Sequence, residues 1–444
     1  MKKLLALLLV LCAVFAQTAF ATTYEGMTRE EFDALEQTTV IASPDSPTGY
    51  YVTFRYKAPD ATRVRIYGEW VFSDPDYSTI VTGLNATPDE WQDGYTVWQA
   101  SGGSPQWPTN DMVLNEETGV WSYTIPLPNG TWNYRFLVGG SPEADITDTT
   151  DAYWAYDPNN IPFLADYDEE LTTEQYLTSV YVPYDPEKQA NSACVEEQAP
   201  RDGENGTVFY ETAVSSGGIE TSYAVYLPYE FDVEREEPYP ILVLFHGGGG
   251  YDGSWMNNGL VNILDNMIAE GRLEPTIVVT PNGSDFPDPD YSWDRPAIME
   301  YVVNTILPHM TEEYNASNDP ARRALGGLSQ GGACIMNGYF NNTESFGYYI
   351  AMSAPMRGNV YPDYEKEELK DVKLFMGFGL YDHVATRAFY NEAIAANESS
   401  TYDYVWGLGQ AGVSFMIKND LPYGHQWALW RELAVYAFDN FLWK

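Results

Sequence analysis

The stretch "YPILVLFHGGGG", residues 239–250, decides how the second half of this chain is read. Its apolar run, Ile241–Phe245, does not alternate with polar residues and ends on His246 and four glycines. An unbroken apolar strand is buried on both faces, as in a parallel sheet covered by helices. The residues that follow keep strand and helix in turn. "GLVNILDNMIAEG" (259–271) has a helical period, "TIVVTPNG" (276–283) is a strand, and "AIMEYVVNTILPHMTEEY" (297–314) is a helix. "RRALGGLS" (322–329) and "GGACIMNGYF" (331–340) repeat the pair, and "FGYYIAMSAP", "VKLFMGFGLYD" and "VSFMIKND" supply further strands before the closing helix "WALWRELAVYAFDNFLW". Residues 206–444 therefore read as one α/β domain with a doubly wound, mostly parallel sheet.

The earlier residues follow a different pattern. Residues 1–21, with Lys2 and Lys3, an apolar run and Ala19-Phe20-Ala21, have the form of a secretory signal peptide cleaved after Ala21. Residues 22–48 are an N-terminal extension. In 49–165, short aromatic and β-branched runs such as "YYVTFRYKA", "RVRIYGEW" and "GVWSYTIPL" are divided by turn residues. Trp132, Tyr134, Phe136 and Val138 share one face of "TWNYRFLV", so an immunoglobulin-like β-sandwich is expected. Trp70, Trp91, Trp98 and Trp107 lie in or near turns from which rings can stack on sugars, whereas Trp121 and Trp132 read as core. Such a region either binds glycan or supports its neighbour. Residues 166–205 are acidic and weakly periodic, and read as a linker.

Composition narrows the partners. With 64 acidic against 23 basic residues the formal charge is −41, which disfavours nucleic acid, anionic membranes and polyanionic substrates. After Ala21 no apolar run is long enough to cross a bilayer. Beyond Cys12 in the leader the cysteines are Cys194 and Cys334, expected to be unpaired. The four histidines are scattered, and neither a metal nor a cofactor is expected.

The chemistry centres on "GLSQG", residues 327–331. Between a strand and a helix this spacing is a nucleophile elbow, which exposes the hydroxyl of Ser329. Serine needs a base, and histidine titrates in the useful range. His425, in the loop "PYGHQW", follows the last strand; His309 is mid-helix, His246 is a structural ring opening the glycine loop, and His383 adjoins Asp382. Chain order favours Asp382 as the acid, with Asp420 its rival. The backbone N–H groups of Gly248 and Gln330 are candidates for an oxyanion hole. Tyr251, Trp255, Trp293 and Trp427, near these motifs, either line an aromatic slot or pack.

"LFHGGGG", "GGLSQGG", "GFGLYD" and "PYGHQW" together resemble carbohydrate esterase family 1, the feruloyl and acetyl-xylan esterases of the esterase D-like branch of α/β hydrolases. The resemblance covers most of 206–444 and puts that family's nucleophile, acid and base on Ser329, Asp382 and His425. Gln330 stands where a methionine is commoner. "NGTWNYRFLVGG" and "YDPNN" look like a family 48 carbohydrate-binding or E-set module. The resemblance implies hydrolysis of hydroxycinnamoyl or acetyl esters on the xylan or arabinoxylan of plant cell walls, outside the cell and without a cofactor. The aromatic residues near the motifs favour feruloyl over acetyl. The alternatives are an acetyl-xylan esterase, an enterochelin-like siderophore esterase and a non-catalytic glycan-binding protein.

Overall fold

The computed structural model describes residues 31–32, 35–73, 80–81, 95–97, 108–157, 178–190, 194–290, 292–355, 367–380, 382 and 414–444. The signal peptide, Trp91, Trp98, Trp107, His383 and the end of "YDPNN" lie outside them.

Eight strands form the sheet of the second region: β1 (Thr207–Val214), β2 (Glu220–Leu227), β3 (Ile241–Phe245), β4 (Ile277–Pro281), β5 (Arg323–Leu328), β6 (Tyr348–Met352), β7 (Lys373–Gly379) and β8 (Ser414–Leu421). Their order is β1-β2-β4-β3-β5-β6-β7-β8. The pairs β1–β2 and β2–β4 are antiparallel and every later pair is parallel, so the sheet is mixed. In β3 the side chains of Ile241, Val243 and Phe245 enter one core and those of Leu242 and Leu244 the other. Both faces of the strand are covered, which is why its sequence does not alternate. Each such side chain contributes about 1.5–3 kcal/mol on burial.

Helices α1 (Val261–Ala269), α2 (Arg295–Tyr301), α3 (Leu307–Tyr314), α4 (Gln330–Asn341) and α5 (Trp427–Asn440) cover the sheet. The expected helix over 297–314 is continuous but widens to a π turn at Val302–Ile306, just before Pro308, whose missing N–H cannot serve a regular ladder. Ahead of α1 another π turn, Met256–Leu260, kinks at Asn258 and Gly259.

The first region is all-β. One antiparallel sheet joins Thr39–Ala42, Tyr50–Lys57, Val120–Pro126 and Val113–Asn115. The other joins Ala152–Ala155, Gly130–Gly139, Val64–Gly68 and Thr109–Asp111. Trp121, Trp132, Tyr134, Phe136 and Val138 share a core with Val52, Phe54 and Ile66. Trp70 belongs to that core, stacked 5.1 Å from Phe54, so its ring is withdrawn from any sugar. Trp154 is half-buried with the Arg135 guanidinium 3.8 Å over its ring.

Two boundaries differ from expectation. Thr39–Ala42, inside the expected extension, is a strand of the first sheet. The expected linker supplies the strand Thr178–Val182, paired with Gly130–Gly139, and the short helix Val195–Gln198. In "TSVYV" Thr178, Val180 and Val182 point inward, an alternation too short to stand out among acidic neighbours. Cys194 and Cys334 are unpaired. Among the described residues no helix is long and apolar enough to cross a membrane, and no group of three or more His, Cys, Asp or Glu could hold a metal.

Candidate active site

Ser329 links β5 to α4 with φ +52° and ψ −117°, a conformation that side chains other than glycine rarely adopt. Its N–H donates to Met352 O at 2.9 Å and its carbonyl accepts from Ala333 N at 3.0 Å, so the turn is held by the next strand and by its own helix. The flanking glycines are steric requirements. A Cβ at Gly331 would lie 2.3 Å from His246 O, and one at Gly327 would lie 2.8 Å from the Gly331 carbonyl carbon. These contacts give the motif its spacing.

His425 lies in the loop between β8 and α5. Its Nε2 is 3.0 Å from Ser329 Oγ, and its Nδ1 is 3.1 and 3.3 Å from the two carboxylate oxygens of Asp382. Asp382 is buried, three residues past the end of β7. The β7–β8 ladder shifts register between Gly377 and Gly379, and a Cβ at Gly379 would lie 2.0 Å from Tyr423 O. That bulge and close approach bring the Asp382 and His425 loops together. The rival carboxylate, Asp420, is 70% exposed and bonds Lys418 Nζ at 2.7 Å, which holds its pKa below the usual carboxylate range. His309 bonds Glu211 on β1, at 2.9 Å, instead of joining the trio.

The glycine loop packs against the elbow. A Cβ on Gly247 would lie 3.1 Å from Ser329 Cβ, and one on Gly248 would lie 3.3 Å from Gln330 Cγ. Among the described residues neither the Gly248 N–H nor the Gln330 N–H has an acceptor. Gln330 is also the first residue of α4, whose N-terminus favours negative charge. Beneath the loop, His246 is buried, with Nδ1 2.6 Å from Gly247 O and Nε2 accepting from the Gly283 N–H at 3.1 Å. Burial lowers its pKa to about 4 and keeps the ring neutral.

The four aromatic candidates divide. Trp255 is 1% exposed, with its indole N–H donating to Phe245 O at 2.9 Å, and Trp293 is 4% exposed, edge-on to His246 at 5.1 Å. Tyr251 is 7% exposed and accepts a hydrogen bond from Asn257. These three brace the glycine loop. Trp427 is half-buried and stands edge-on to Trp255 and Trp430, at 5.2 and 5.1 Å. Trp430, which sequence reading passed over, meets the His425 ring edge-on at 5.0 Å and donates its indole N–H to Ser353 Oγ at 3.0 Å. Ser353 itself has φ +50° and follows the strand that holds Ser329 N. Only its position just past an apolar strand could have marked it.

Chemically, this geometry allows a hydroxyl to pass its proton to an imidazole as it attacks an electrophile, while a buried carboxylate stabilises the imidazolium. The N–H groups of Gly248 and Gln330 belong to segments that pack against one another at the Ser329 turn.

Residues 215–408 match the family model described as a putative esterase, a span that includes the glycine loop, Ser329 and Asp382 and ends before His425. Over 173 residues, 37% of this chain and 23% of the other, the chain is 32% identical to an endo-1,4-beta-xylanase/feruloyl esterase of Xylanibacter ruminicola. Over 155 residues, 33% of this chain and 14% of the other, it is 31% identical to endo-1,4-beta-xylanase Y of Acetivibrio thermocellus. The matches thus span less than a quarter of the length of these curated relatives. Among solved structures it is similar to the enterobactin esterase of Shigella flexneri in the presence of 2,3-di-hydroxy-N-benzoyl-serine. That likeness has a TM-score of 0.52 at 16% identity, over 94% of this chain and 98% of that one. With the strand order and the elbow, these likenesses make the second region an α/β-hydrolase fold.

Proposed function

We propose that this protein is a secreted serine esterase that releases hydroxycinnamoyl groups, feruloyl foremost, from xylan and arabinoxylan. The observation that carries the reading is the 3.0 Å contact between Ser329 Oγ and His425 Nε2, with Asp382 on the other ring nitrogen. Ser329 Oγ attacks the ester carbonyl as His425 takes its proton, and the Asp382 carboxylate stabilises the imidazolium. The tetrahedral oxyanion accepts from the N–H groups of Gly248 and Gln330. As that intermediate collapses, His425 returns the proton to the departing sugar alkoxide, leaving an acyl-Ser329. Water, deprotonated by His425, attacks the acyl carbon; the acid leaves and Ser329 Oγ regains its proton.

The substrate class rests on several supports. A curated relative carries feruloyl esterase in its name. A charge of −41 suits a neutral polysaccharide better than a polyanion. A serine and histidine suit ester cleavage, whereas most glycosidases use a carboxylate pair. Of the four aromatic candidates near the motifs, Trp427, two residues from His425, is the one that is not buried and so the one left to meet a planar acyl group. In this reading the leader directs secretion, and the all-β region is an immunoglobulin-like, family 48-like module that meets the glycan.

A substrate panel tests the reading: methyl ferulate, methyl p-coumarate, an aryl acetate, acetylated xylan and an iron-free catecholate trilactone. The expected result is a higher kcat/KM for methyl ferulate than for the aryl acetate, although the acetate is the more reactive ester. Preference for acetylated xylan with no ferulate released would move the assignment to an acetyl-xylan esterase. Preference for the trilactone would make it a siderophore esterase.

A further inference from the structure

The strand Gly130–Gly139 of the all-β region reaches both sides of the candidate site through buried polar contacts. Thr131 O accepts from Arg431 Nη2 at 2.7 Å, and Asn133 Nδ2 donates to Asn258 Oδ1. Asn258 O in turn lies 3.4 Å from Arg431 Nη1. Glu69 holds Asn133 from behind, its Oε1 accepting from the Asn133 N–H at 2.8 Å and from Nδ2 at 3.1 Å. Glu69, Asn133, Asn258 and Arg431 are all buried. Groups this deep are costly to leave without partners, so the set holds a defined geometry.

From Asn258 the bonds lead to the glycine loop. Its Nδ2 donates to Ser254 O at 2.7 Å, and Ser254 Oγ accepts from the Tyr251 N–H at 2.9 Å. Gly250 lies so near that a Cβ there would be 3.0 Å from Ser254 Oγ. From Arg431 the path leads to the base. Arg431 belongs to α5, which begins two residues after His425, and its neighbour Trp430 meets the His425 ring. Gly259, at φ +90°, makes the turn beside Thr131 that presents Asn258 to the strand.

We propose that Asn133 is a positioning residue: acting through Asn258 and Arg431, the all-β region fixes the spacing between the glycine-loop amides and the His425 imidazole. The inference rests on the reading of Ser329 and His425 as nucleophile and base. A misplacement of about 1 Å between reacting groups can cost up to about a hundredfold in rate.

The test uses the full chain and four variants: Asn133→Ala, Asn133→Ser, Asn258→Ala and the Asn133→Ala/Asn258→Ala pair. Turnover of an aryl acetate is measured well below the lowest Tm in the set, with competent sites counted by organophosphonate labelling. Each single variant is expected to lower kcat per labelled site by about tenfold with KM within about twofold. The pair should fall no further than its worse member, because both changes remove the same bond. Asn133→Ser leaves a hydroxyl donor beside the Glu69 carboxylate and serves if the alanine variant does not fold. Unchanged kcat per labelled site, however far Tm drops, would overturn the proposal and leave a merely structural contact. Losses that multiply in the pair would overturn it as well. A wild-type chain that neither labels nor turns over esters would remove the reading of Ser329 and, with it, this one.

Discussion

The parallel strands β3–β8 and the antiparallel sheets of the first region dispose of their ends differently. In the parallel run Phe245, Leu328, Met352, Gly379 and Leu421 finish at one edge of the sheet. The loops that leave there carry His246 to Gly250, Ser329, Ser353, Asp382 and His425. In an antiparallel sheet neighbouring strands finish at opposite edges, so each edge receives only every second loop. Such a sheet meets a site from the side, as Thr131 and Asn133 do from within one strand. A parallel sheet thus assembles reactive groups by topology, while an antiparallel one contributes by placement.

Three substitutions test that contrast. Ser329→Ala should lower kcat by on the order of a millionfold while the fold persists, since nucleophile and base act as a unit. A tenth of wild-type turnover in the variant would take the chemistry away from the parallel edge. Asp382→Asn should cost about ten-thousandfold by disturbing the imidazole tautomer, as the equivalent change does in a serine protease. Asp420→Asn, exposed and paired with Lys418, should change kcat by less than about twofold. Reversal of those two results would identify the other strand end as the source of the acid.

A further prediction concerns His246 and is read in stability rather than turnover. Its folded pKa is about 4 against an ordinary value of 6.5, so between those values the unfolded chain binds a proton that the folded chain does not. Its contribution is full above about pH 6.5 and falls as pH drops toward 4, by on the order of 3 kcal/mol. His246→Asn keeps a donor for Gly247 O and should flatten the fall in Tm between pH 6.5 and 4. An unaltered acid profile would show that the ring does not couple the loop to pH.

What was legible in the sequence follows the same division. The elbow was readable because its constraints lie within a few residues, with Gly327 and Gly331 each pressed against backbone. The meeting of Asp382 and His425 with Ser329 was readable because strand order fixes which loops meet. The junction was not: Asn133 lies 125 residues from Asn258, and Thr131 lies 300 residues from Arg431. No local pattern marks an asparagine whose partner lies on another region. Trp255 and Trp293 show the complementary failure, because nearness to a motif does not fix the direction of a side chain. Their rings turn inward under the glycine loop.

The backbone at Ser329 has one further consequence. Holding a residue with a side chain at φ +52°, ψ −117° costs the folded state about 1–3 kcal/mol. That energy is a sizeable part of the margin by which a domain outlasts its unfolded chain. Glycine would relieve it at this position and abolish the hydroxyl in the same step. Under the proposed chemistry durability and activity are therefore opposed at a single residue, and a lineage released from the need to react would drift toward Gly at position 329.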